Sequence, residues 1–344
     1  MANPELIEVT RGKLVESRHR GAIAVMSGDG RAVLRLGDTQ GPVYPRSAVK
    51  VMQAIPLLTS GAAEAYGFGD QELALACSSH NGEPRHVDLV ASMLERMGLD
   101  QSALECGTHQ PFLERAARNL MLSAGKPSPL HNNCSGKHAG MLAVARYLKE
   151  PHEGYVQPDH AVQRRIARIL AELTGALVSG ETCGTDGCSV PTWGVPLEAL
   201  ALGFARLAAG QGASAEHLVA GKRLMEACMA EPGMVAGEKR FCTDVMEALG
   251  PVVFVKTGAE GVFCAAVPEF GLGIALKIDD GTSRASEAAT ANVLSALLPA
   301  HAGVLARWTR RPVRSVAGAE VGEIRQSTGL LKSLAAMPRH SSAP

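Results

Sequence analysis

Aromatic residues are scarce in this chain, at 4% of 344 residues, which argues against stacking on nucleic-acid bases. The formal net charge is zero, so no electrostatic attraction to nucleic acid or to an anionic membrane is expected. No apolar run approaches membrane-spanning length, and the start MANPE lacks the basic and apolar regions of a secretion signal. We therefore expect a soluble, cytoplasmic protein that binds neither nucleic acid nor membrane, which its 46% hydrophobic and 20% charged residues support.

Strand signals concentrate at the two ends of the chain. Segments 22–26 and 32–36 flank the turn-forming sequence SGDGR, which is a strong hairpin signal. Apolar segments separated by glycine-containing turns predict later strands at 252–256, 262–267 and 272–278.

The middle of the chain instead repeats apolar residues at helical intervals. The clearest predicted helices cover 161–173, 197–208 and 216–229, and a last one covers 285–298. Strands at both ends around a helical middle predict an α+β fold, in which an antiparallel sheet built from both termini packs against a largely helical middle lobe.

No internal repeat or low-complexity linker divides the chain, so we expect residues 1–335 to form a single catalytic unit. The sheet lobe would comprise about 1–46 and 245–335, and the helical lobe about 47–244. The polar residues 336–344 are expected to form a flexible tail.

Ser47 and Lys50 form a Ser-x-x-Lys pair where an amphipathic helix should begin. Residues three apart share a helix face, so the lysine amine can reach and activate the serine hydroxyl. Unpaired N–H groups at the helix start can stabilise an oxyanion. A second such pair, Ser123 and Lys126, lies in a segment rich in glycine and proline, where we expect a loop and no catalytic role.

Two further motifs strengthen the case for Ser47. Ser79-x-Asn81 lies in a polar loop after an apolar segment, and Lys256-Thr257-Gly258 ends an apolar strand. Alone, each is an ordinary turn or strand end. Together, in this order and on these elements, they resemble the signature of serine β-lactamases, penicillin-binding proteins and related glutaminases.

Two loop segments, HNNCSGKHAG and ETCGTDGCSVP, concentrate polar and sulfur-containing side chains. Cys134, His138, Asp186 and Cys188 suggest a zinc site, because thiolate, imidazole and carboxylate suit that ion. Their spacing matches no standard zinc finger, and a redox pair or unpaired thiols are comparable interpretations.

These two segments, together with PRSAVK, SSHN and KTGAEG, resemble the rhizobial-type L-asparaginase II family over about residues 5–330. The resemblance implies a fold related to serine β-lactamases and glutaminases, a homodimer, two Ser–Lys pairs in one site and a zinc ion beside it. The pairs it implies are Ser47/Lys50 and Ser79/Lys256. The zinc ligands it implies are Cys134, Lys137 and Cys188.

The expected activity is hydrolysis of the side-chain amide of L-asparagine through a serine acyl-enzyme, with Ser47 preferred as nucleophile. Zinc is expected to position the substrate and not to be obligatory. Arg46 and Asp186 have the charges to pair with the α-carboxylate and α-amino groups. The remaining expected substrate-binding residues lie in the same motifs and are Asn81, Asn132, His138 and Glu260.

Two alternatives stay open at this stage. One is a glutaminase or penicillin-hydrolysing serine hydrolase of the same fold. The other is a zinc- or thiol-based binding or redox protein in which the Ser–Lys pairs are incidental.

Overall fold

The structure is a computed structural model that describes residues 2–338, so most of the predicted tail, 339–344, lies outside the described residues. The chain forms two compact units. One comprises the residues up to Ala48, Val195–Ala209 and the chain from Val255 onward, and the other comprises Val49–Gly194 and Gly210–Phe254. The division departs from the predicted lobes at two places. Val195–Ala209 belongs with the sheet, although the sequence assigned it to the helical lobe. Residues 245–254 belong to the second unit, although the sequence assigned them to the sheet lobe.

An eight-stranded sheet forms the first unit, with strand order β11-β12-β1-β2-β10-β9-β8 and β3 paired to β2. Its strands are β1 (Glu5–Arg11), β2 (Leu14–Ser27), β3 (Ala32–Leu36), β8 (Phe254–Thr257), β9 (Val262–Val267), β10 (Leu272–Ile278), β11 (Arg311–Arg314) and β12 (Glu320–Gln326). β1 is antiparallel to β12, and β2 is antiparallel to β3 and to β10. The predicted α+β class and the antiparallel sheet from both termini are confirmed.

Two short strand pairs complete the strand inventory. β4 (Pro42–Val43) pairs with β7 (Val195–Pro196) in the first unit. β5 (Cys183–Thr185) pairs with β6 (Pro191–Trp193) in the second unit, where the hairpin presents the loop that contains Cys188.

Helices cover both faces of the sheet. β9 is buried at every position, which requires cover on both sides because alternate side chains point to opposite faces. α8 (Leu197–Ala209) packs on β2, β9 and β10, and α12 (Ser283–Leu297) packs on β1, β9, β10 and β12. The apolar face of α8 thus explains why this helix belongs to the sheet. The other helices of this unit are α13 (Ala302–Thr309) and α14 (Thr328–Ala335).

The second unit is built around α6, which is buried from Ser135 to Ala145. α1 and α3 both pack on α6 and on α9. Its helices are α1 (Lys50–Thr59), α2 (Ala62–Ala65), α3 (Asp70–Ala76), α4 (Pro84–Arg96), α5 (Glu114–Leu122), α6 (Ser135–Tyr147), α7 (Ala161–Thr174), α9 (Ala215–Ala230), α10 (Pro232–Val235) and α11 (Phe241–Leu249). The helices predicted at 161–173 and 216–229 are confirmed as α7 and α9.

Within residues 2–338, no single helix has both the length and the apolar character needed to cross a membrane. One pair of consecutive helices is long and apolar enough only when the two are counted together. They are Ser283–Leu297 and Pro299–Thr309, and the chain bends by 120° at the break between them.

Candidate active site

Ser47 lies in a short 3-10 helix, Arg46–Val49, that runs directly into α1. The amide of Ala48 donates to the carbonyl oxygen of Pro45 at 3.1 Å, which tightens the chain around the serine. Arg46 takes a left-handed conformation with φ of 52°, which strains a residue that has a side chain. Ser47 was predicted at the start of a helix, and it lies in a 3-10 turn directly before the α-helix.

Lys256 lies near the end of β8 and is only 1% exposed. Its Nζ atom donates to the carbonyl oxygen of Thr257 at 3.0 Å. A Cβ atom at Gly258 would lie 2.7 Å from the carbonyl oxygen of Pro45, so only glycine fits this approach. The Lys-Thr-Gly segment therefore lies against the chain that leads into Ser47.

Lys50 is the centre of a buried polar cluster in the second unit, and its residue is 0% exposed. Its Nζ atom contacts Ser79 Oγ at 3.0 Å and Cys134 Sγ at 3.1 Å, and it donates to the carbonyl oxygen of Ser78. The three partners meet because α1 begins at Lys50, the Ser79 loop follows α3, and Cys134 immediately precedes α6.

The loop that carries Ser79 is fixed by backbone hydrogen bonds to two other segments. The Ser79 amide donates to the carbonyl oxygen of Val235 at 2.8 Å, and the His80 amide donates to the carbonyl oxygen of Asn133 at 3.1 Å. Ser79 is 5% exposed, so the hydroxyl lies in a largely enclosed position. The loop is therefore held between the α10 region and the turn before α6.

Lys137 and Cys188 meet beside this cluster, with Lys137 Nζ at 3.0 Å from Cys188 Sγ. Lys137 lies on the buried first turn of α6, and Cys188 lies in the loop between β5 and β6. Asp186 shapes that loop, because its Oδ1 accepts the Gly187 amide at 2.7 Å and its carbonyl oxygen accepts the Ser189 amide at 2.9 Å.

The two neighbouring thiols have pKa values shifted in opposite directions. Their mutual hydrogen bond, with burial added, raises the pKa of Cys134 to about 12. The same hydrogen bond lowers the pKa of Cys188 to about 5 against the effect of burial, and the Lys137 ammonium helps to lower it. Burial alone would lower the pKa of Lys137, but the charges of Cys188, Cys134 and Asp186 raise it. Cys188 is thus a thiolate that accepts a hydrogen bond from the protonated Cys134 thiol.

Cys134, Lys137 and Cys188 fit a zinc ion by the chemistry of their donor atoms, two sulfurs and one nitrogen. Donor atoms around tetrahedral zinc lie about 3.5 Å apart, so the 3.0 Å separation of Lys137 Nζ and Cys188 Sγ needs little adjustment. Binding requires the lysine ammonium to lose its proton. Among the residues that the structure describes, no group of three or more His, Cys, Asp and Glu could hold a metal. The interpretation of Cys134, His138, Asp186 and Cys188 as zinc ligands is therefore wrong.

His138 is completely buried, and its Nδ1 atom lies 2.6 Å from the hydroxyl of Tyr155. That hydroxyl oxygen accepts a hydrogen bond from the Glu105 amide at 3.0 Å, so the hydroxyl O–H donates a hydrogen bond to Nδ1 of His138. The ring therefore carries its proton on Nε2, which has no hydrogen-bond partner within residues 2–338. Burial, with Lys137 nearby, lowers the pKa of His138 to about 3. The residue offers a neutral N–H donor.

Three of the other expected substrate-binding residues have other contacts. Asn132 accepts the Cys134 amide and donates to the carbonyl oxygen of Cys106. Asn81 is bonded at both ends of its side-chain amide. Glu260 is exposed after β8, where its carbonyl oxygen accepts from Lys277 at 2.7 Å.

The structure thus brings together Lys50, Ser79 and Cys134, and it brings together Lys137 and Cys188. The predicted pairs Ser47/Lys50 and Ser79/Lys256 each draw one residue from each unit, and they stay predictions. The sequence analysis missed Tyr155, because a single tyrosine in a loop carries no spacing signal. The Ser123 hydroxyl donates to the carbonyl oxygen of Leu120 at 2.9 Å, which agrees with a structural role for the second Ser-x-x-Lys pair.

The sequence model for L-asparaginase II matches residues 7–326, nearly the whole chain. The match defines a hydrolase that acts on amides. The chain belongs to the L-asparaginase II family. No curated protein matches it in sequence.

Several solved structures are similar to the chain at low identity. Mglu, in its native form in the presence of 4.3 M NaCl, is 19% identical with a TM-score of 0.43, over 85% of this chain and 64% of Mglu. A β-lactamase (Mb2281c) from Mycobacterium bovis is 14% identical with a TM-score of 0.40, over 84% and 95%. D-alanine carboxypeptidase AmpC from Burkholderia cenocepacia is 13% identical with a TM-score of 0.38, over 77% and 90%. At TM-scores below 0.5 these similarities carry no argument about the chemistry of this chain.

Proposed function

We propose that this chain is an L-asparaginase, which hydrolyses the side-chain amide of L-asparagine to L-aspartate and ammonia through an acyl-enzyme on Ser47. The observation that carries the assignment of a serine hydrolase is the buried contact of Lys50 Nζ with Ser79 Oγ at 3.0 Å, and the preference for Ser47 as the nucleophile rests on its Ser-x-x-Lys motif. A serine needs an adjacent base to become a nucleophile, and a buried lysine beside serine can supply one. Membership of the L-asparaginase II family supports the choice of substrate.

Lys50 is the proposed general base. A neutral lysine amine has two N–H donors and one lone pair, and Lys50 Nζ has polar neighbours in the Ser78 carbonyl, the Cys134 sulfur and the Ser79 hydroxyl. The amine can therefore donate to the carbonyl and the sulfur and keep its lone pair for a hydroxyl proton.

In acylation, Ser47 Oγ bonds to the side-chain amide carbon of asparagine while its proton passes to Lys50 Nζ. N–H groups at the start of α1 stabilise the oxyanion on the former amide oxygen. The C–N bond then breaks, the nitrogen takes up the proton through Ser79, which Lys256 polarises, and ammonia leaves. Water attacks the resulting ester, and aspartate departs as the Ser47 hydroxyl is restored.

The Lys50–Ser79 contact also favours an exchanged assignment of the two serines. In that second candidate mechanism, Ser79 is the nucleophile and Ser47 relays the proton to the leaving nitrogen. The substrate and products are the same, so only the site of acylation distinguishes the two assignments.

Charged and hydrogen-bond-donating side chains are assigned to position the substrate. Asp186 has the charge to pair with the α-amino group of asparagine, and Arg46, the arginine in the Ser47 motif, is one of two candidates for the α-carboxylate. The unpartnered Nε2–H of His138 supports a hydrogen bond to an oxygen of the substrate. Cys134, Lys137 and Cys188 would hold zinc, which when bound supplies a Lewis-acidic template for positioning the substrate.

The test is ammonia release from L-asparagine by wild type, Ser47→Ala and Ser79→Ala, with L-glutamine and nitrocefin as competing substrates. We expect asparagine to be preferred and Ser47→Ala to lower kcat by about 10³-fold or more. Acid-quenched peptide mapping should find the acyl group on Ser47. Full ammonia release by Ser47→Ala, or acylation of Ser79, would move the nucleophile to Ser79. Preference for glutamine or nitrocefin would replace the asparaginase assignment.

A further inference from the structure

Arg240 lies against the Ser79 loop, at the residue before α11. Its Nη1 atom donates to Asn81 Oδ1 at 2.9 Å and to the carbonyl oxygen of Ser79 at 3.5 Å. The guanidinium is half-buried, and no sequence motif indicated it. A fixed positive charge thus lies within one hydrogen bond of the Ser79 backbone.

Asn81 holds this arginine in one orientation. Its side-chain Nδ2 donates to Glu83 Oε1 at 3.2 Å and to the carbonyl oxygen of Glu238 at 3.0 Å, which leaves Oδ1 to face Arg240. Gly237 makes the approach possible, because a Cβ atom there would lie 2.3 Å from Glu83 Oε1. With both ends of its amide occupied, Asn81 serves to orient Arg240 and has no free donor for the substrate.

The carboxylates around Arg240 have other partners. Glu83 pairs with Arg85 at 3.0 Å, and Glu238 pairs with Arg115 at 2.7 Å. Arg240 forms no ion pair within the part of the chain that the structure describes, and its Nε and Nη2 atoms have no hydrogen-bond partner there. None of the Arg240 nitrogens is among the buried polar atoms that lack a partner, so these unused donors are open to solvent and can bind an anion.

We propose that Arg240 binds the α-carboxylate of the substrate and thereby selects amides that also carry a carboxylate. The assignment rests on the proposed function, which it deepens by naming the residue that recognises the amino-acid end of asparagine. Guanidinium donors in a planar fork match the two oxygens of a carboxylate. In this assignment Arg46 is left to position Ser47 and does not hold the carboxylate.

The test compares two substrates on one set of variants. L-asparagine and L-asparaginamide differ only in that the second has a neutral carboxamide in place of the α-carboxylate. For Arg240→Gln we expect kcat/KM for L-asparagine to fall about 10- to 100-fold, mainly through KM, because a charge-assisted hydrogen bond is lost. The value for side-chain hydrolysis of L-asparaginamide should change less than about threefold, and Arg240→Lys should recover part of the loss.

Two control variants accompany Arg240→Gln. Arg115→Gln removes a neighbouring exposed arginine and should leave both substrates unaffected. Arg46→Gln tests the other candidate. Equal losses on both substrates in Arg240→Gln would overturn the proposal, because a residue that only braces Asn81 and Ser79 affects both alike. A carboxylate-selective loss in Arg46→Gln but not in Arg240→Gln would also overturn it.

Failure of the proposed function is recognised separately, since wild type would then release no ammonia from L-asparagine. In that case, calorimetry with L-aspartate still decides the role of Arg240. Binding weakened 10- to 100-fold in Arg240→Gln would support carboxylate recognition, and equal binding or no binding by wild type would overturn it.

Discussion

Lys50 Nζ lies 3.0 Å from Ser79 Oγ, although the two residues are 29 positions apart in sequence. The contact exists because α1, which begins at Lys50, packs against α3, which ends just before the Ser79 loop. Lys50 also contacts Cys134 at 3.1 Å. One buried amine therefore joins the serine loop to the start of α6, where two of the proposed zinc ligands lie.

Replacing Lys50 with methionine should abolish most of the activity while the fold survives. Methionine keeps the length of the chain and packs well in apolar surroundings, but it cannot accept the serine proton. We expect kcat to fall by about 10³-fold. The free energy of unfolding should fall by about 1–3 kcal/mol, because the Ser78 carbonyl oxygen loses its donor. Ammonia release and urea unfolding measure the two effects.

The second Ser-x-x-Lys pair supplies the matched control for Lys50→Met. Lys126 is exposed, and Ser123 donates to the carbonyl oxygen of Leu120. Lys126→Met should therefore leave both kcat and stability unchanged. If Lys50→Met retained full kcat, Lys50 would not be the base.

Removing zinc should raise KM more than it lowers kcat. The proposed role of the metal is to position the substrate, and the proton transfers are assigned to serine and lysine side chains. The experiment compares chelator-treated and zinc-reloaded protein, with metal content measured by mass spectrometry and folding by circular dichroism. Complete loss of turnover in metal-free, folded protein would rule out a purely positioning role.

Acid should destabilise the protein through His80, which is completely buried. Burial, with His86 and Lys50 nearby, holds the pKa of His80 well below its ordinary value of 6.5. Below pH 6.5 the His80 side chain is therefore protonated in the unfolded chain but stays neutral in the folded chain until its lowered pKa is reached. The free energy of unfolding should fall by about 1.4 kcal/mol per pH unit from pH 6.5 downward until the folded pKa is reached.

His80→Asn isolates this contribution, since asparagine can still accept the Gly82 amide that His80 Nδ1 accepts at 3.0 Å. The variant should be less stable at pH 7.5 and less sensitive to acid between pH 6.5 and 5. Urea unfolding at several pH values gives both slopes, and identical slopes would contradict the assignment to His80.

Much of the fold follows from local periodicity, but the outer strands do not. β9 and β10 were predicted at their observed bounds, because continuous apolar segments between glycine turns mark them. β11 and β12 were missed. β11 is the short edge sequence RPVR, and β12 begins at Glu320 and is only half-buried, so neither shows the apolar pattern of a strand.

The candidate site likewise contains residues that the sequence predicted and residues that it did not. Ser79 and Cys134 were found because they belong to sequence motifs, and Lys137 followed only from the family resemblance, whereas Tyr155 and Arg240 are single residues in loops. What brings them to the site is the packing of α6 and the turn before α11, which no local spacing encodes. Asn81 was predicted from its motif to bind the substrate. The structure shows that both ends of its side-chain amide are bonded to neighbours that the sequence did not reveal.

The position of the amino-terminal hairpin has a consequence for synthesis of the protein. β1 pairs with β12, and β2 pairs with β10, so both strands are synthesised long before these two partner strands. Val49–Gly194 emerges earlier and can begin to form its helical core at once. We therefore expect the hairpin to lack β10 and β12 during most of translation, and closure of the sheet to be the slow, aggregation-sensitive step of folding.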